Sequence, residues 1–330
     1  MNGTPGGRIL VVRQDRLGDA VNAVAVLKYL RQNRPGARLA LMVGPDLVPL
    51  FRCQPYVDDV IPFEHGLPRL VGTMARGRFD AVMMLKPSKT VAWSALLAGV
   101  RAKAGLGWRP YYPLTGFRSA YPRVAADRAH EVDFDLAVAQ ALHPGPIGDV
   151  VPEIRADPSA LAAAELVLAG SGLRRPIAVM PANRGSSPNW PASRYAELVQ
   201  GLKTGGREVA VIGGPGEEPL LAEVSGPAGA PVLGPGLSIV QLAALLSRCR
   251  AAVASSTGTL HLAAAVGLPT VGLFCAAPVS RPQRWAPRGP GHLQLVPAQD
   301  RCPGCGGRRR CELSAITVAD AINAIGSVTA

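Results

Sequence analysis

A chain of 330 residues exceeds the usual size of one hydrophobic core, so two domains are expected. Hydrophobic residues make up 48% and charged residues 18%, which describes a soluble globular protein, and no apolar run approaches the roughly 18 residues of a bilayer span. The net charge of +12 is not a tail: residues 1–160 hold 20 Lys/Arg against 14 Asp/Glu, and residues 161–330 hold 15 against 9, so each half is +6. Such basicity suits an acidic partner, or else a merely solvated surface. No basic helix interleaved with aromatics occurs, which argues against nucleic acid. The N-terminus lacks the layout of a signal peptide, so a cytoplasmic location is expected.

Arg8–Val12 (RILVV) reads as a buried strand, Gln14–Leu17 as a polar turn, and Ala20–Leu30 as a helix with an Ala/Val/Leu face. Arg38–Val43 is a second strand, Asp46–Cys53 a short helix and Val57–Pro62 a third strand. Leu67–Arg78 is helical, Asp80–Leu85 a strand, Thr90–Ala98 a helix and Arg101–Gly105 a strand. Gly107–Arg123, rich in Pro, Tyr and Arg, reads as a loop, and Ala129–Leu142 as a helix. Pro144–Asp157 is a connector. The boundary is placed within 145–172, giving domains 1–158 and 159–330, with Ser159–Ala169 as a bridging helix.

The second half restarts the alternation. Strands are expected at Pro176–Met180, Glu208–Ile212 and Pro231–Leu233, and helices at Ala192–Thr204, Leu220–Ser225 and Ser238–Arg248. Ala251–Cys275 then compresses a strand, a turn, a short helix and a strand into 25 residues. A terminal helix, Thr317–Ile325, can cross back to the first domain. The fold class is α/β, two doubly wound domains with a ligand cleft between the carboxyl ends of their sheets.

Four stretches can carry chemistry. In Asp15-Arg16-Leu17-Gly18-Asp19, Asp19 falls near a helix N-terminus, where the dipole favours a carboxylate that accepts a proton from a hydroxyl; an ordinary N-cap is the alternative. The loop Pro181–Pro191 offers Asn183, Arg184, Ser186 and Ser187 as donors to a diphosphate, and Trp190-Pro191 as an anchor for the following helix. Gly213–Glu218 is a Gly-rich turn in which Glu217 can hold ribose hydroxyls, or simply a surface turn. In Ser255–Thr259, Ser256, Thr257, Gly258 and Thr259 line a helix N-terminus and His261 follows on its first turn; this suits a phosphate, or a plain Ser/Thr cap. The first motif is not GxGxxG, which disfavours a dinucleotide-dependent dehydrogenase.

These motifs, in this order, resemble the ADP-heptose–lipopolysaccharide heptosyltransferase family, glycosyltransferase family 9. The matching stations are RILVVRQDRLGDAVNAVAVLKYLR, NRGSSPNWPASRYAELVQGL, VAVIGGPGEE, LSIVQLAALLSRCRAAVASSTGTLHLAAAVGLPTVGLF and the terminal cysteine segment. The resemblance implies two Rossmann-like domains of the GT-B type, the first for the acceptor and the second for the nucleotide sugar. It implies inverting transfer that needs no cofactor, with ADP-heptose as donor and an acidic glycolipid or glycoconjugate of the lipopolysaccharide core as acceptor. Contact with the cytoplasmic face of the inner membrane follows from such an acceptor.

Carried over by position, Asp19 is the general base, beside Gly18. Thr257, Gly258, Thr259 and His261 form the diphosphate turn, Glu217 meets the ribose and Leu237 lies where backbone meets adenine. Two positions depart. Ser256 stands where the family commonly has Asp, and Pro188 where it often has Lys. Arg184, Lys86 or Lys89 can supply the positive charge. The departures also motivate a second reading, a relative that binds nucleotide or sugar without transfer, and a third, a transferase for a protein or natural-product acceptor.

Cys53, Cys249 and Cys275 lie in apolar surroundings and read as small core residues. Cys302, Cys305 and Cys311 have the spacing of a metal knuckle, with His292 or Cys275 as a fourth ligand, or are free thiols. Arg308–Arg310 can meet acidic lipid head groups or be a solvated charge run.

Overall fold

The computed structural model describes residues 7–125, 127–277, 280–297, 311 and 313–330. The chain forms two compact units, Met1–Pro152 and Glu153–Ala330.

The first unit runs β1 (Arg8–Arg13), α1 (Leu17–Asn22), α2 (Val24–Asn33), β2 (Arg38–Val43), α3 (Val48–Phe51), β3 (Asp59–Pro62), α4 (Leu67–Gly77), β4 (Ala81–Met84), α5 (Lys89–Leu97), β5 (Ala102–Leu106), α6 (Tyr112–Thr115), β6 (Arg118–Ala120) and α7 (Glu131–Leu142). All six strands are parallel, in the order β3-β2-β1-β4-β5-β6. The central strands are continuous apolar runs because both faces are covered. Leu10, Val12, Val82 and Met84 pack under Leu70 and Met74 of α4 and under Val91, Ala92 and Ala95 of α5. Ser88 caps α5, its Oγ accepting the Val91 amide at 3.3 Å.

The second unit runs α8 (Pro158–Gly170), β7 (Ile177–Met180), α9 (Ala192–Thr204), β8 (Val209–Ile212), α10 (Glu218–Ser225), β9 (Val232–Leu233), α11 (Ile239–Ser247), β10 (Ala251–Ser255), α12 (Gly258–Ala265), β11 (Thr270–Leu273), α13 (Pro282–Trp285), β12 (His292–Leu295) and α14 (Val318–Thr329). Its sheet is also parallel, ordered β12-β11-β10-β7-β8-β9. Counted from each unit's first strand, both sheets read 3-2-1-4-5-6. The order reverses between β1 and β4 in one and between β7 and β10 in the other, the place where such sheets receive ligands. Capping boxes begin α11, through Ser238 and Gln241, and α14, through Thr317 and Asp320.

Several expectations change. The helix expected at 20–30 is two helices, with Ala23 between them. The expected loop at 107–123 contains α6 and the edge strand β6, and the second sheet gains the edge strand β12. The terminal helix α14 packs on α9 and on β10–β12 of its own unit, burying Ala321 and Ile325. Helix α8, the expected bridge, also packs within the second unit, on α11. Cys53 is exposed, because it follows the buried end of α3 and points away from the core, whereas Cys249 and Cys275 are buried. Burial pushes the Cys249 thiol up to about 12.

Gly234 has φ +112, and a Cβ there would overlap the Gly213 carbonyl oxygen. Gly234→Ala therefore combines backbone strain with a backbone clash and is expected to cost about 1–3 kcal/mol. Chemical denaturation read by tryptophan fluorescence checks this; an unchanged midpoint would show that the turn yields freely.

Candidate active site and donor turn

The first unit buries an arginine among carboxylates at its reversal point. Arg13 ends β1 and is 2% exposed. Its Nη1 donates to Asp135 Oδ1 at 2.6 Å, and its Nη2 to Asp19 Oδ1 at 2.6 Å and Glu131 Oε1 at 3.1 Å. Asp15 Oδ1 lies 2.8 Å from Nε, an ion pair without hydrogen-bond alignment. Lys86, just beyond β4, approaches Asp15 Oδ2 at 3.8 Å. Three elements converge here: β1 supplies Arg13, α1 supplies Asp19, and α7 supplies Glu131 and Asp135 four residues apart on one face.

Burial alone would lower the Arg13 pKa, but the four carboxylates more than offset it and hold the guanidinium charged. Burial, reinforced by the neighbouring carboxylates Glu131, Asp19 and Asp15, drives Asp135 well above the ordinary carboxylate range despite Arg13. Asp15 is also raised, by burial first and by Asp19, against the pull of Arg13 and Lys86. Asp135 Oδ2 is buried without a hydrogen-bond partner, in keeping with a carboxyl that resists ionisation.

Asp19 is the third residue of α1 rather than its cap; Arg16 holds the cap position and makes no side-chain cap. Gly18 is buried beside it. Lys86 joins the cluster, while Lys89 is exposed on the first turn of α5. Arg13, Glu131 and Asp135 were not singled out from the sequence. The signals were present: an arginine closing an apolar strand, and two acids at i and i+4 on a helix otherwise apolar on that side.

The second unit places its polar turn at the matching reversal. Ser255 ends β10 and is fully buried, and Thr257 caps α12, accepting the Leu260 amide at 3.4 Å. Thr257 and Thr259 share a hydroxyl contact of 2.9 Å, Gly258 opens the helix, and His261 is buried on its first turn. Ser256 is half-exposed beside them. The first amides of α12 thus stand at the carboxyl edge of the sheet, where an anion is favoured.

The loop after β7 meets this turn. Asn183 Nδ2 donates to the Ser187 carbonyl at 2.7 Å and reaches Ser255 Oγ at 3.5 Å, and Asn183 Oδ1 accepts the Gly185 amide at 2.9 Å. Asn183 is therefore occupied in shaping the loop. Ser187 is buried, and Ser186 Oγ is buried without a hydrogen-bond partner. Trp190 fixes the loop's far end, packing edge-on against Tyr195 and donating to the Leu313 carbonyl at 3.3 Å.

Arg184 adopts φ +48, a conformation that L side chains rarely take, and donates Nε to Glu217 Oε1 at 3.1 Å. The other Glu217 oxygen accepts the Gly214 amide at 2.8 Å. Leu237 is half-exposed just ahead of α11, its amide turned into the Gly234 carbonyl at 2.8 Å. The structure thus gathers Asn183, Ser187, Thr257, Gly258 and Thr259 around one reversal and pairs Arg184 with Glu217.

The sequence profile of glycosyltransferase family 9 (heptosyltransferase) matches residues 68–305. The chain belongs to that family. A lipopolysaccharide heptosyltransferase 2 of Escherichia coli K12 is 24% identical over 287 residues, covering 81% of this chain and 82% of the relative. Among solved structures, the family 9 glycosyltransferase of Veillonella parvula matches with TM-score 0.84 and 20% identity, covering 98% of this chain and 97% of the other. The E. coli ADP-heptose lipopolysaccharide heptosyltransferase II matches with TM-score 0.81 and 21% identity, covering 98% of each chain. The fold is therefore GT-B, and this family 9 member is a glycosyltransferase.

Among the described residues, no group of three or more His, Cys, Asp or Glu side chains is arranged to hold a metal ion, and no helix is long and apolar enough to cross a membrane. Cys302, Cys305 and Arg308–Arg310 lie outside the described residues. Cys311 is half-exposed, with its carbonyl accepting the Asn189 amide at 3.2 Å. Of the other ligands considered, Cys275 is buried, and His292 Nδ1 is 3.1 Å from Thr270 Oγ1.

The acid cluster makes a contrasting pair of predictions. Arg13→Met leaves four carboxylates without their cation and is expected to cost about 3–5 kcal/mol. Asp135→Asn keeps an acceptor for Nη1 and removes a group that resists ionisation. A carboxylate with a raised folded pKa binds more protons folded than unfolded, so its contribution to stability falls as pH rises from the unfolded value, about 3.9, through the folded one. Urea unfolding against pH should show Asp135→Asn gaining on the wild type towards alkaline pH; a constant difference would show that Asp135 titrates normally.

Proposed function

We propose that this family 9 glycosyltransferase moves a heptose from ADP-heptose to a hydroxyl of the lipopolysaccharide core or a related glycoconjugate, with inversion and without a metal cofactor. The observation that carries the reading is Asp19, partly exposed and held through one oxygen by Arg13 at the end of β1. With Oδ1 fixed, Oδ2 can take a proton from an acceptor hydroxyl. Support for the donor and acceptor classes comes from the names of the relatives above, an ADP-heptose enzyme and lipopolysaccharide heptosyltransferases.

The second unit holds the donor. Its diphosphate sits on the first amides of α12, with Thr257, Gly258, Thr259 and His261 around it, and Ser256, Asn183, Ser186 and Ser187 complete the polar surround. Adenine lies against the backbone near Leu237. Glu217 meets the ribose, and this requires Arg184 to exchange its carboxylate partner for the diphosphate. Arg184 thereby stands in for the lysine that Pro188 replaces. The first unit holds the acceptor, with Gly18 beside Asp19, Lys86 at Asp15 and Lys89 exposed on the first turn of α5.

Asp19 accepts the acceptor's proton as the oxygen forms a bond to the anomeric carbon. The bond from that carbon to the diphosphate oxygen breaks from the opposite side, and ADP leaves with the electron pair. Amides of α12, its dipole and Arg184 stabilise the charge that develops on the leaving group. That stabilisation takes the place of a bound cation.

Asp19→Ala is expected to lose transfer by about 10²–10⁴-fold while keeping its fold and its ADP-dependent thermal shift. Full activity in that variant would remove Asp19 from the reaction, and ADP binding without transfer in the wild type would favour a non-catalytic relative. Transfer measured with excess chelator should proceed at the unchelated rate; a loss restored by a divalent cation would overturn the metal-independent reading.

A further inference from the structure

Helix α9 begins without a capping side chain: Pro191 holds the cap position and makes no side-chain hydrogen bond. A hydrophobic staple fixes the entry instead. Trp190, just before the cap, packs edge-on against Tyr195, the fourth helical residue, with ring centroids 5.5 Å apart. The rings account for the staple, and a phenylalanine would serve as well. The Tyr195 hydroxyl is a separate matter. Tyr195 is 0% exposed, and a buried hydroxyl is costly unless it is bonded, so its partners show what it is for.

That hydroxyl donates to Asn189 Oδ1 at 2.8 Å. Burial pushes the Tyr195 pKa up, and the amide and hydroxyl of Ser255 moderate the rise, which puts Ser255 beside the same oxygen. Asn189 clasps the loop after β7 end to end: its Nδ2 donates to the Pro181 carbonyl at 2.7 Å, and its amide to the Cys311 carbonyl at 3.2 Å. Ser255 ends β10, and its Oγ is the atom that Asn183 Nδ2 approaches at 3.5 Å. Asn183 in turn clasps the middle of the loop, through the Ser187 carbonyl and the Gly185 amide. A path of buried polar contacts therefore runs from the end of the loop through Tyr195 to the end of β10, and back into the loop at Asn183.

The stretch between these clasps has little local preference for its shape. Arg184 at φ +48 and Gly185 at φ +67 are both left-handed, and a non-glycine residue holds that conformation only where its surroundings impose it. Ser186 Oγ lies in the same stretch, buried without a hydrogen-bond partner. We propose that Tyr195 and Asn189 are positioning residues for a nucleoside diphosphate, holding the loop with Asn183, Ser186 and Ser187 against the turn that opens α12. The ligand then meets a loop already in place, and ordering it does not weaken binding. This role rests on the donor reading above, and the test keeps the two apart.

The experiment is calorimetric titration of the full chain with ADP, well below the unfolding temperature. Tyr195→Phe keeps the staple and removes only the bridge; the ADP Kd is expected to rise at least about fivefold. Tyr112→Phe in the first unit removes a comparable buried hydroxyl bond, to the Leu106 carbonyl at 3.2 Å, and should leave the Kd within about twofold. In an Asn183→Ala background the Tyr195→Phe effect should shrink to below about twofold, because the residue that the bridge holds is already gone. Should Tyr195→Phe fail to fold, Ser255→Ala removes the bridge from its other side and carries the same expectation. A lowered unfolding midpoint with an unchanged ADP Kd would make Tyr195 merely structural and overturn the proposal. So would a Tyr195→Phe effect of full size in the Asn183→Ala background. Absence of ADP binding by the wild type would overturn the donor reading and this role with it, whereas wild-type binding that both Tyr195→Phe and Ser255→Ala leave intact would overturn this role alone.

Discussion

One buried guanidinium organises the carboxyl end of the first unit's sheet. Arg13 binds α1 and α7 to the end of β1 through Asp19, Glu131 and Asp135, with Asp15 closing the ring. The guanidinium is shared among four acids, and its contact at 2.6 Å fixes Asp19 Oδ1 in place. Burial and the neighbouring carboxylates raise Asp135, on the α7 side of this ring.

In the second unit the corresponding work is done by neutral groups. Hydroxyls of Thr257 and Thr259, buried Ser255 and the Asn183 amide shape a turn built of neutral groups. The charged pair, Arg184 with Glu217, stands at the rim and is exposed on the arginine side. A neutral floor with a movable cation at its edge suits a ligand that arrives and leaves carrying charge, because no buried ion pair must be broken to admit it.

Much of this was legible in the chain itself. The central strands β1, β2, β4, β7, β8 and β10 are unbroken apolar runs because they are covered on both faces, and turns follow each of them in the sequence. The edge strands β6 and β12 were not legible: RSA and HLQL pair on one side only and carry polar residues that a buried strand would not. The stations at Asp19 and at Thr257–His261 were readable because each follows a strand directly. Arg13 was not, because its meaning depends on Glu131 and Asp135 more than a hundred residues away, and no local spacing encodes that meeting. Asn183 and Arg184 were readable as polar loop residues, but not their partners, which the turn at Gly185 and the approach of Gly214–Glu217 decide.

The identical strand order of the two sheets has a consequence for how such a molecule divides its labour. No repeat is visible between the halves at the level of residues, yet each sheet opens the same gap between its first and fourth strands. One gap has been plugged with a knot of ions tied by Arg13; the other has been left lined with hydroxyls. A scaffold laid out twice offers two like openings, and filling one with charge makes them unlike, so the asymmetry of the protein lies in what occupies its two gaps and not in how its strands are laid.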